Sequence, residues 1–259
     1  MARLPRLVLP GLPHLLIQRG HNRQPVFVDD TDREAYLAAL REAAANQRVA
    51  VHAYVLLPDE VMLLATPPDA EALGRMMQAL GRRYVAAFNA RHGRSGTLWE
   101  GRYRAAVLEP TRYFLPCCCY IEQSPVRAGL CERAEDWRWS SHAHHRGARN
   151  DPLVSGHALY WALGNTPFER EAAYRRLFET LPSAADLRAL SESALRGWPL
   201  GSPAFLQQLQ RAGHAAAPKP PGRPRKTPES VAVKGGVAMP AVGAKITLSP
   251  KKSHNPGAA

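Results

Sequence analysis

Residues 49–66, VAVHAYVLLPDEVMLLAT, have the pattern of two strands joined by a tight turn. Apolar side chains alternate over 49–57, which predicts a strand carrying one set on a single face: Val49, Val51, Ala53, Val55 and Leu57. Pro58 and Asp59 are turn residues, and the apolar run 60–66 predicts the next strand. Strands joined by so short a turn run antiparallel, so we expect an antiparallel sheet at the centre of the fold.

The chain on either side of this hairpin alternates between helical and strand patterns. A strand is expected before it at His14–Gln18, and another after it within Leu98–Leu108. Helices are expected from the capping residues Asp29, Asp30 or Thr31 to about Gln47, from Asp69 or Glu71 to about Arg91, and from a cap at Thr111 to Pro125. The order strand, helix, strand, strand, helix, strand predicts an α+β fold, a ferredoxin-like sandwich with an antiparallel sheet.

The composition changes twice along the rest of the chain. Helices are expected at 167–181, 183–195 and 204–212. From Gly213 onward Ala, Pro, Gly, Lys and Ser dominate, and such a stretch buries too little apolar surface to order itself. The sequence therefore predicts three regions: a first domain at 1–150, a helical C-terminal segment at 151–212 and a disordered basic tail at 213–259.

The charge of the chain favours a polyanionic partner. Thirty-four Lys and Arg residues against 22 Asp and Glu leave a formal net charge of +12. Each phosphate that such a surface neutralises releases a counterion, which favours nucleic acid. The alternative is a basic but inert surface.

The cysteines and the apolar runs indicate where the protein works. Three of the four cysteines are consecutive, at 117–119, and the fourth is Cys131, a spacing that suits neither a disulfide framework nor a zinc site. This usage indicates a reducing compartment. Pro10 and Pro13 interrupt the short apolar run near the start, so we expect no signal peptide and no membrane span. The expected location is cytoplasmic and nucleoid-associated.

Three short blocks together are quite specific: IQRG at 17–20, LWEGR at 98–102 and PVRAG at 125–129. They resemble the REP-associated tyrosine transposases, a branch of the single-tyrosine, insertion-sequence type. The resemblance runs from about Arg6 to Arg146, and more loosely to about Gln210. It implies a first domain that recognises hairpin-forming DNA, cuts one strand and leaves a 5′-phosphotyrosine link, with Mg²⁺ or Mn²⁺.

The resemblance places the attacking tyrosine at Tyr120, just before the run SPVRAG at 124–129. Without that run, a packed aromatic residue would be the simpler interpretation. Tyr113 lies two helical turns earlier on roughly the same face and is a competitor. Pro116 lies between them, and an interior proline costs a helix about 3 kcal/mol, so we expect a kink or a late start.

The metal positions of the family are changed in this chain. The family has a His-hydrophobic-His pair, whose members project from one face of a strand, and a polar ligand one helical turn after the tyrosine. These positions are occupied here by Glu60, Met62 and Ser124. A carboxylate at 60 can ligate a hard cation or be a solvated strand-end group, whereas a thioether suits soft metals and a serine is a weaker ligand. We therefore expect Mg²⁺ or Mn²⁺ if the protein is active, and no metal otherwise.

Basic residues spread over several segments are expected to meet near the site and to bind phosphates, with Tyr84, Trp99 and Tyr103 interleaved for base stacking. The predicted DNA-binding residues are Arg19, Arg23, Arg82, Arg83, Arg102, Arg104 and Arg127. The alternatives are a solvated helix face for Arg82 and Arg83 and a core position for Trp99. His142, His144 and His145 are expected at the surface rather than at a substitute metal site. In the tail, PPGRPRK at 220–226 resembles the core of an AT-hook, and a generic basic linker is the alternative.

Three functions are consistent with this sequence. The first is a transposase-family strand transferase that binds single-stranded or hairpin DNA of the REP type, with impaired cleavage. The second is a non-catalytic DNA-binding regulator that keeps the fold, and the third is a decaying copy without a selected function. A monomer or a weak dimer is expected in each case.

Overall fold

The structure, a computed structural model, describes residues 6–180 and 182–216. Its strands are β1 (His14–Arg19), β2 (Ala50–Leu56), β3 (Glu60–Thr66) and β4 (Arg104–Val107). Its helices, in chain order, are α1 (Asp30–Gln47), α2 (Ala72–Arg91), α3 (Pro110–Glu122), α4 (Ser124–Arg127), α5 (His142–His145), α6 (Ala158–Trp161), α7 (Pro167–Thr180), α8 (Ala184–Arg196) and α9 (Pro203–Arg211). Single 3₁₀ turns lie at His21–Arg23 and Ala134–Asp136.

The strands form one antiparallel sheet in the order β2-β3-β1-β4. The β2–β3 hairpin lies beside β1, and the register pairs Ile17 with Met62 and Arg19 with Glu60. This α+β arrangement is that of a ferredoxin-like sandwich, so the predicted fold class is confirmed.

Helices cover both faces of the sheet. The helices α1 and α2 pack on one face, where Tyr36 and Leu80 meet Leu63. The helices α3, α7 and α8 pack on the other, which we call the α3 face, where Phe114 and Leu190 are in one core with residues of β1, β2 and β3. Parts of 151–212 therefore pack directly on the sheet, and the predicted boundary between 150 and 151 stays a prediction.

The alternation predicted along 49–57 is wrong at its centre, where β2 contains a β-bulge between Val51 and Ala53. Val51 lies in the core under α1 and α2, whereas Ala53 and Val55 lie on the α3 face. The extra residue, His52, donates Nδ1–H to the Ser155 carbonyl (2.9 Å), and its Nε2 accepts from the Thr66 hydroxyl (2.9 Å). A bulge sets two residues against one on the neighbouring strand, so all later side chains exchange faces.

The last strand is shorter than the predicted 98–108, since β4 begins only at Arg104. Gly101 has a φ of 74° and donates its N–H to the carbonyl of Trp99. These two features form a local turn, which interrupts the extended backbone that a strand requires. Arg102 is therefore an exposed loop residue, and Arg104 is the first residue of the strand.

The tyrosine helix also differs from its prediction. Thr111 does not cap it, because α3 begins at Pro110 and follows Glu109. Proline suits a first helical position, since its missing N–H has no intrahelical partner there. The helix continues through Pro116 to Glu122, so the expected late start is wrong.

The predicted C-terminal helices are present as α7, α8 and α9, with Ser183 and Ser202 capping the last two. Within the residues described, no helix is both long and apolar enough to span a membrane. The predicted tail from Gly213 is described only to 216. Its remainder, including the AT-hook-like segment 220–226, lies outside the described residues.

Candidate functional site

The predicted tyrosine and metal positions meet at one end of the α3 face. Arg19 ends β1 opposite Glu60, which begins β3. Glu60 and Met62 are two residues apart on β3, so their side chains project from the same face. Tyr120 lies in the last turn of α3 and shares an apolar cluster with Met62. The structure thus brings these positions together, as the resemblance implies.

Glu60 is an ion-paired carboxylate rather than a solvated one. It is only 4% exposed. The Nε of Arg19 donates to its Oε2, and Nη1 of Arg23 lies 3.3 Å from the same oxygen. Arg23 also pairs with Asp59 at 3.3 Å. Because Glu60 is buried and ion-paired, the expectation that it is a solvated strand-end carboxylate is wrong. A cation that bound to Glu60 would have to displace the guanidinium groups of Arg19 and Arg23.

The other two metal positions do not present donors to a hard cation. Met62 is buried in the apolar cluster, and its only heteroatom is a thioether sulfur. The hydroxyl of Ser124 donates to the carbonyl of Ile121 at 2.7 Å. Within 6–180 and 182–216, no three His, Cys, Asp or Glu side chains are grouped so that they could hold a metal ion. The residues at the family's metal positions therefore do not fit Mg²⁺ or Mn²⁺.

Tyr120 is 7% exposed and held on several sides. The guanidinium of Arg127 lies 4.4 Å from its ring centroid, and Nη2 of Arg127 donates to its backbone carbonyl at 2.5 Å. Ser191, on α8, lies beside it. Burial raises the pKa of the Tyr120 hydroxyl against the opposing effect of Arg127, so the hydroxyl keeps its proton at neutral pH.

A cleft of about 430 Å³ opens beside this tyrosine, between α8 and the end of the tyrosine helix. We call it the tyrosine cleft, and it is lined by Tyr120, Arg127, Leu187, Arg188, Ser191 and Glu192. Tyr113 is also buried, and burial raises its pKa, but it does not line this cleft. The geometry thus distinguishes two tyrosines that the sequence spacing left as competitors.

The predicted DNA-binding arginines divide between the two faces of the sheet. Five lie at the end of the sheet where Tyr120 is found: Arg19, Arg23, Arg102, Arg104 and Arg127. Arg82 and Arg83 are on α2, which packs on the opposite face, and Arg83 pairs with Glu42 of α1. The structure therefore does not bring these last two to the tyrosine.

The aromatic residues expected to stack on bases are mostly core residues. Tyr84 is buried and donates its hydroxyl to the carbonyl of Val26 at 2.5 Å. Trp99 is buried too, in edge contact with Tyr36 at 6.2 Å. A ring enclosed by other side chains offers no face to a base, so the stacking role predicted for Tyr84 is wrong, and of the two interpretations of Trp99 the structure supports the core position.

The surface position predicted for the histidine run is wrong for His142 and His145, which are buried, whereas His144 is half-buried. The two buried histidines belong to what we call the Glu122 network, a fully buried carboxylate and its four partners. Oε1 of Glu122 is 2.6 Å from both the Ser141 hydroxyl and Nδ1 of His145, and Oε2 is 2.9 Å from the Tyr174 hydroxyl and 3.2 Å from Nδ1 of His142. The network joins α3 to α5 and α7.

Electrostatics keeps this carboxylate charged. Burial alone would raise the pKa of Glu122, but attraction to His145 and hydrogen bonds with His142 and His145 outweigh it and hold the pKa well below its usual range. One sequence signal could have found the network. Glu122 ends an otherwise apolar helical run, and a carboxylate buried there needs partners such as histidines spaced i and i+3.

No family model matches the sequence, and a search of curated proteins found no match. Among solved structures, the chain is similar to a REP-associated tyrosine transposase bound to a REP hairpin, with 19% identity, 61% of this chain and 93% of that chain covered, and a TM-score of 0.49. It is also similar to a putative transposase from Deinococcus radiodurans R1, with 27% identity, 44% and 92% of the two chains covered, and a TM-score of 0.33.

Proposed function

We propose that this protein binds single-stranded or hairpin-forming DNA of the REP type through the arginines around Tyr120, and that it cleaves this DNA feebly. The observation that carries the proposal is the position of Tyr120. It lines the tyrosine cleft together with Arg127 and Arg188, at the end of the sheet where Arg19, Arg23, Arg102 and Arg104 also lie. Clustered guanidinium groups are suited to the phosphates of a flexible strand.

The cleavage step would join Tyr120 to one phosphodiester of the strand. The Tyr120 oxygen would attack phosphorus and lose its proton while the bond from phosphorus to the 3′ oxygen breaks. The 3′ oxygen takes up a proton, and a 5′-phosphotyrosine link remains. The guanidinium of Arg127 lies beside the ring of Tyr120 and would neutralise negative charge on the attacked phosphate.

Two features of the site oppose that step. Burial raises the pKa of the Tyr120 hydroxyl, so the nucleophile is protonated, and the nearby carboxylate of Glu60 is held by the guanidinium groups of Arg19 and Arg23. Glu60, Met62 and Ser124 do not fit a hard cation, so these three positions supply no Lewis acid to the phosphate. The same two features favour a second candidate function, a DNA-binding regulator that does not cut.

Adduct formation tests the choice between the two. We expect purified protein to form little or no covalent adduct with a REP hairpin oligonucleotide in Mn²⁺, because its ligand positions are changed. Glu60→His, Met62→His and Ser124→Asn together should raise the adduct yield roughly a hundredfold, since a metal supplies several kcal/mol to phosphate chemistry. The yield is measured on a denaturing gel.

A matched triple variant controls for repacking. Glu60→Gln, Met62→Leu and Ser124→Ala fill the same positions without new metal ligands, and this variant should not gain adduct. If the unmodified protein cleaves the hairpin robustly and EDTA abolishes this, our assignment of the metal positions is wrong.

Any adduct is expected to form through Tyr120. Tyr120→Phe removes only the hydroxyl, so the protein should fold and the adduct should disappear. Tyr113→Phe is the matched control, because Tyr113 is buried on the same helix but does not line the tyrosine cleft. An adduct that survives in Tyr120→Phe and is lost in Tyr113→Phe would reverse the assignment.

A further inference from the structure

A second cleft, of about 530 Å³, lies where the start of β4 meets the end of α8. We call it the β4 cleft. The residues that matter for its chemistry are Arg6, Arg102, Tyr103, Arg104, Arg196 and Trp198. Its volume is within the range of pockets that take small organic ligands, roughly 300–1,000 Å³.

The lining of the β4 cleft is strongly basic. It contains four arginines, and no Asp or Glu is among the described residues that line it. Arg104 donates Nη1 to the carbonyl of Leu195 at 2.9 Å, which anchors one guanidinium at the cleft wall. Arg102 is exposed, and the side chain of Arg196 is 63% exposed and lies 4.0 Å from the carboxylate of Glu192. Such a concentration of guanidinium groups attracts a phosphate.

The cleft also offers one aromatic surface. Tyr103 is 9% exposed, and the guanidinium of Arg6 lies 3.9 Å from its ring centroid, so that ring is already covered. Trp198 lines the same cleft and is partly exposed. A partly exposed indole beside several arginines is the combination that stacks an unpaired base while its phosphate is neutralised.

The two clefts lie on one helix. Ser191 lines the tyrosine cleft and Arg196 lines the β4 cleft, and both belong to α8. Five residues of helix rise by about 7.5 Å along the axis, so residues of successive helical turns line the two clefts. A single DNA strand that passes along α8 would therefore meet one cleft after the other.

We propose that the β4 cleft binds one unpaired nucleotide of single-stranded DNA, with its phosphate on Arg102, Arg104 and Arg196 and its base stacked on Trp198. This proposal rests on the proposed function, because it extends the DNA path from Tyr120. It assigns a binding role to Arg196 and Trp198, which the sequence patterns did not select.

The test compares two fluorescent probes by anisotropy: the single strand (dT)₆ and a hairpin with a blunt end. Arg196→Gln and Trp198→Leu should each weaken (dT)₆ binding about tenfold, through the loss of a phosphate contact and of a stacked base respectively. Blunt hairpin binding should change less than about twofold, because that probe has no unpaired end to occupy the cleft. Trp198→Phe keeps a ring and should recover part of the loss.

The matched control is Arg176→Gln, which removes one charge from an exposed position on α7. Equal losses for Arg176→Gln and Arg196→Gln would show an effect of net charge and overturn the proposal. Unchanged (dT)₆ binding by Arg196→Gln and Trp198→Leu would also overturn it, while leaving the proposed function intact. If the wild-type protein binds neither probe, both proposals fail together.

Discussion

Binding of a REP hairpin oligonucleotide is expected to weaken roughly a thousandfold when salt rises from about 50 to 200 mM, if about six phosphates are contacted. The reason is the net charge of +12 and the arginines gathered at the Tyr120 end of the sheet. Each neutralised phosphate releases a counterion, so added salt opposes binding in proportion to the number of contacts. Anisotropy titrations across this salt range measure the salt slope, which is the change in the logarithm of the binding constant with the logarithm of the salt concentration.

Two single variants locate the surface responsible. Arg102→Gln removes a charge from the exposed loop before β4, and it should lower the salt slope by about one. Arg82→Gln removes the same charge from α2 on the opposite face of the sheet, and it should leave the slope nearly unchanged. Equal effects of the two variants would contradict the assignment of DNA binding to the Tyr120 end of the sheet. A wild-type affinity that does not change with salt would contradict phosphate binding by these arginines altogether.

Glu122→Gln is expected to destabilise the protein by about 3 kcal/mol or more, because losing one partner of a buried charged group leaves the others uncompensated. The carboxylate is fully buried and bonds Ser141, His142, His145 and Tyr174. In a chain of this size such a loss lowers the melting temperature by roughly 6–12 °C. Thermal unfolding followed by circular dichroism measures the difference.

The pH dependence of this loss follows from the lowered pKa of Glu122. A carboxyl whose pKa is lower in the folded state contributes stability above its unfolded pKa, and that contribution is lost as pH falls through the folded pKa. The gap between wild type and Glu122→Gln should therefore be full at neutral pH and should narrow below the ordinary Glu value of 4.5. Exposed Glu132 provides the control, since Glu132→Gln should change the melting temperature little at any pH. If Glu122→Gln has the same melting temperature as the wild-type protein, the Glu122 network adds no stability.

Local patterns in the sequence determined the order of elements and the type of fold. The β2–β3 hairpin was predictable because two apolar runs flank Pro58 and Asp59, and a short turn allows only antiparallel pairing. The helices α1 and α2 were predictable from apolar spacing and from acidic residues before their first turns. The motif around 124–129 likewise selected Tyr120, and the structure places that residue in a cleft.

The tertiary structure alone decided which of these side chains is available for chemistry. The bulge at His52 is bonded to Thr66 and Ser155 and changes the faces of β2, and residues of α8 form the cleft beside Tyr120. Likewise, Glu60 forms ion pairs with arginines of another strand and of a loop, and Glu122 is hydrogen-bonded by residues of α5 and α7. All of these contacts join residues far apart in the chain. Helical and strand periodicity reports only the faces of one element at a time, so burial and ion pairing between elements have no local signature.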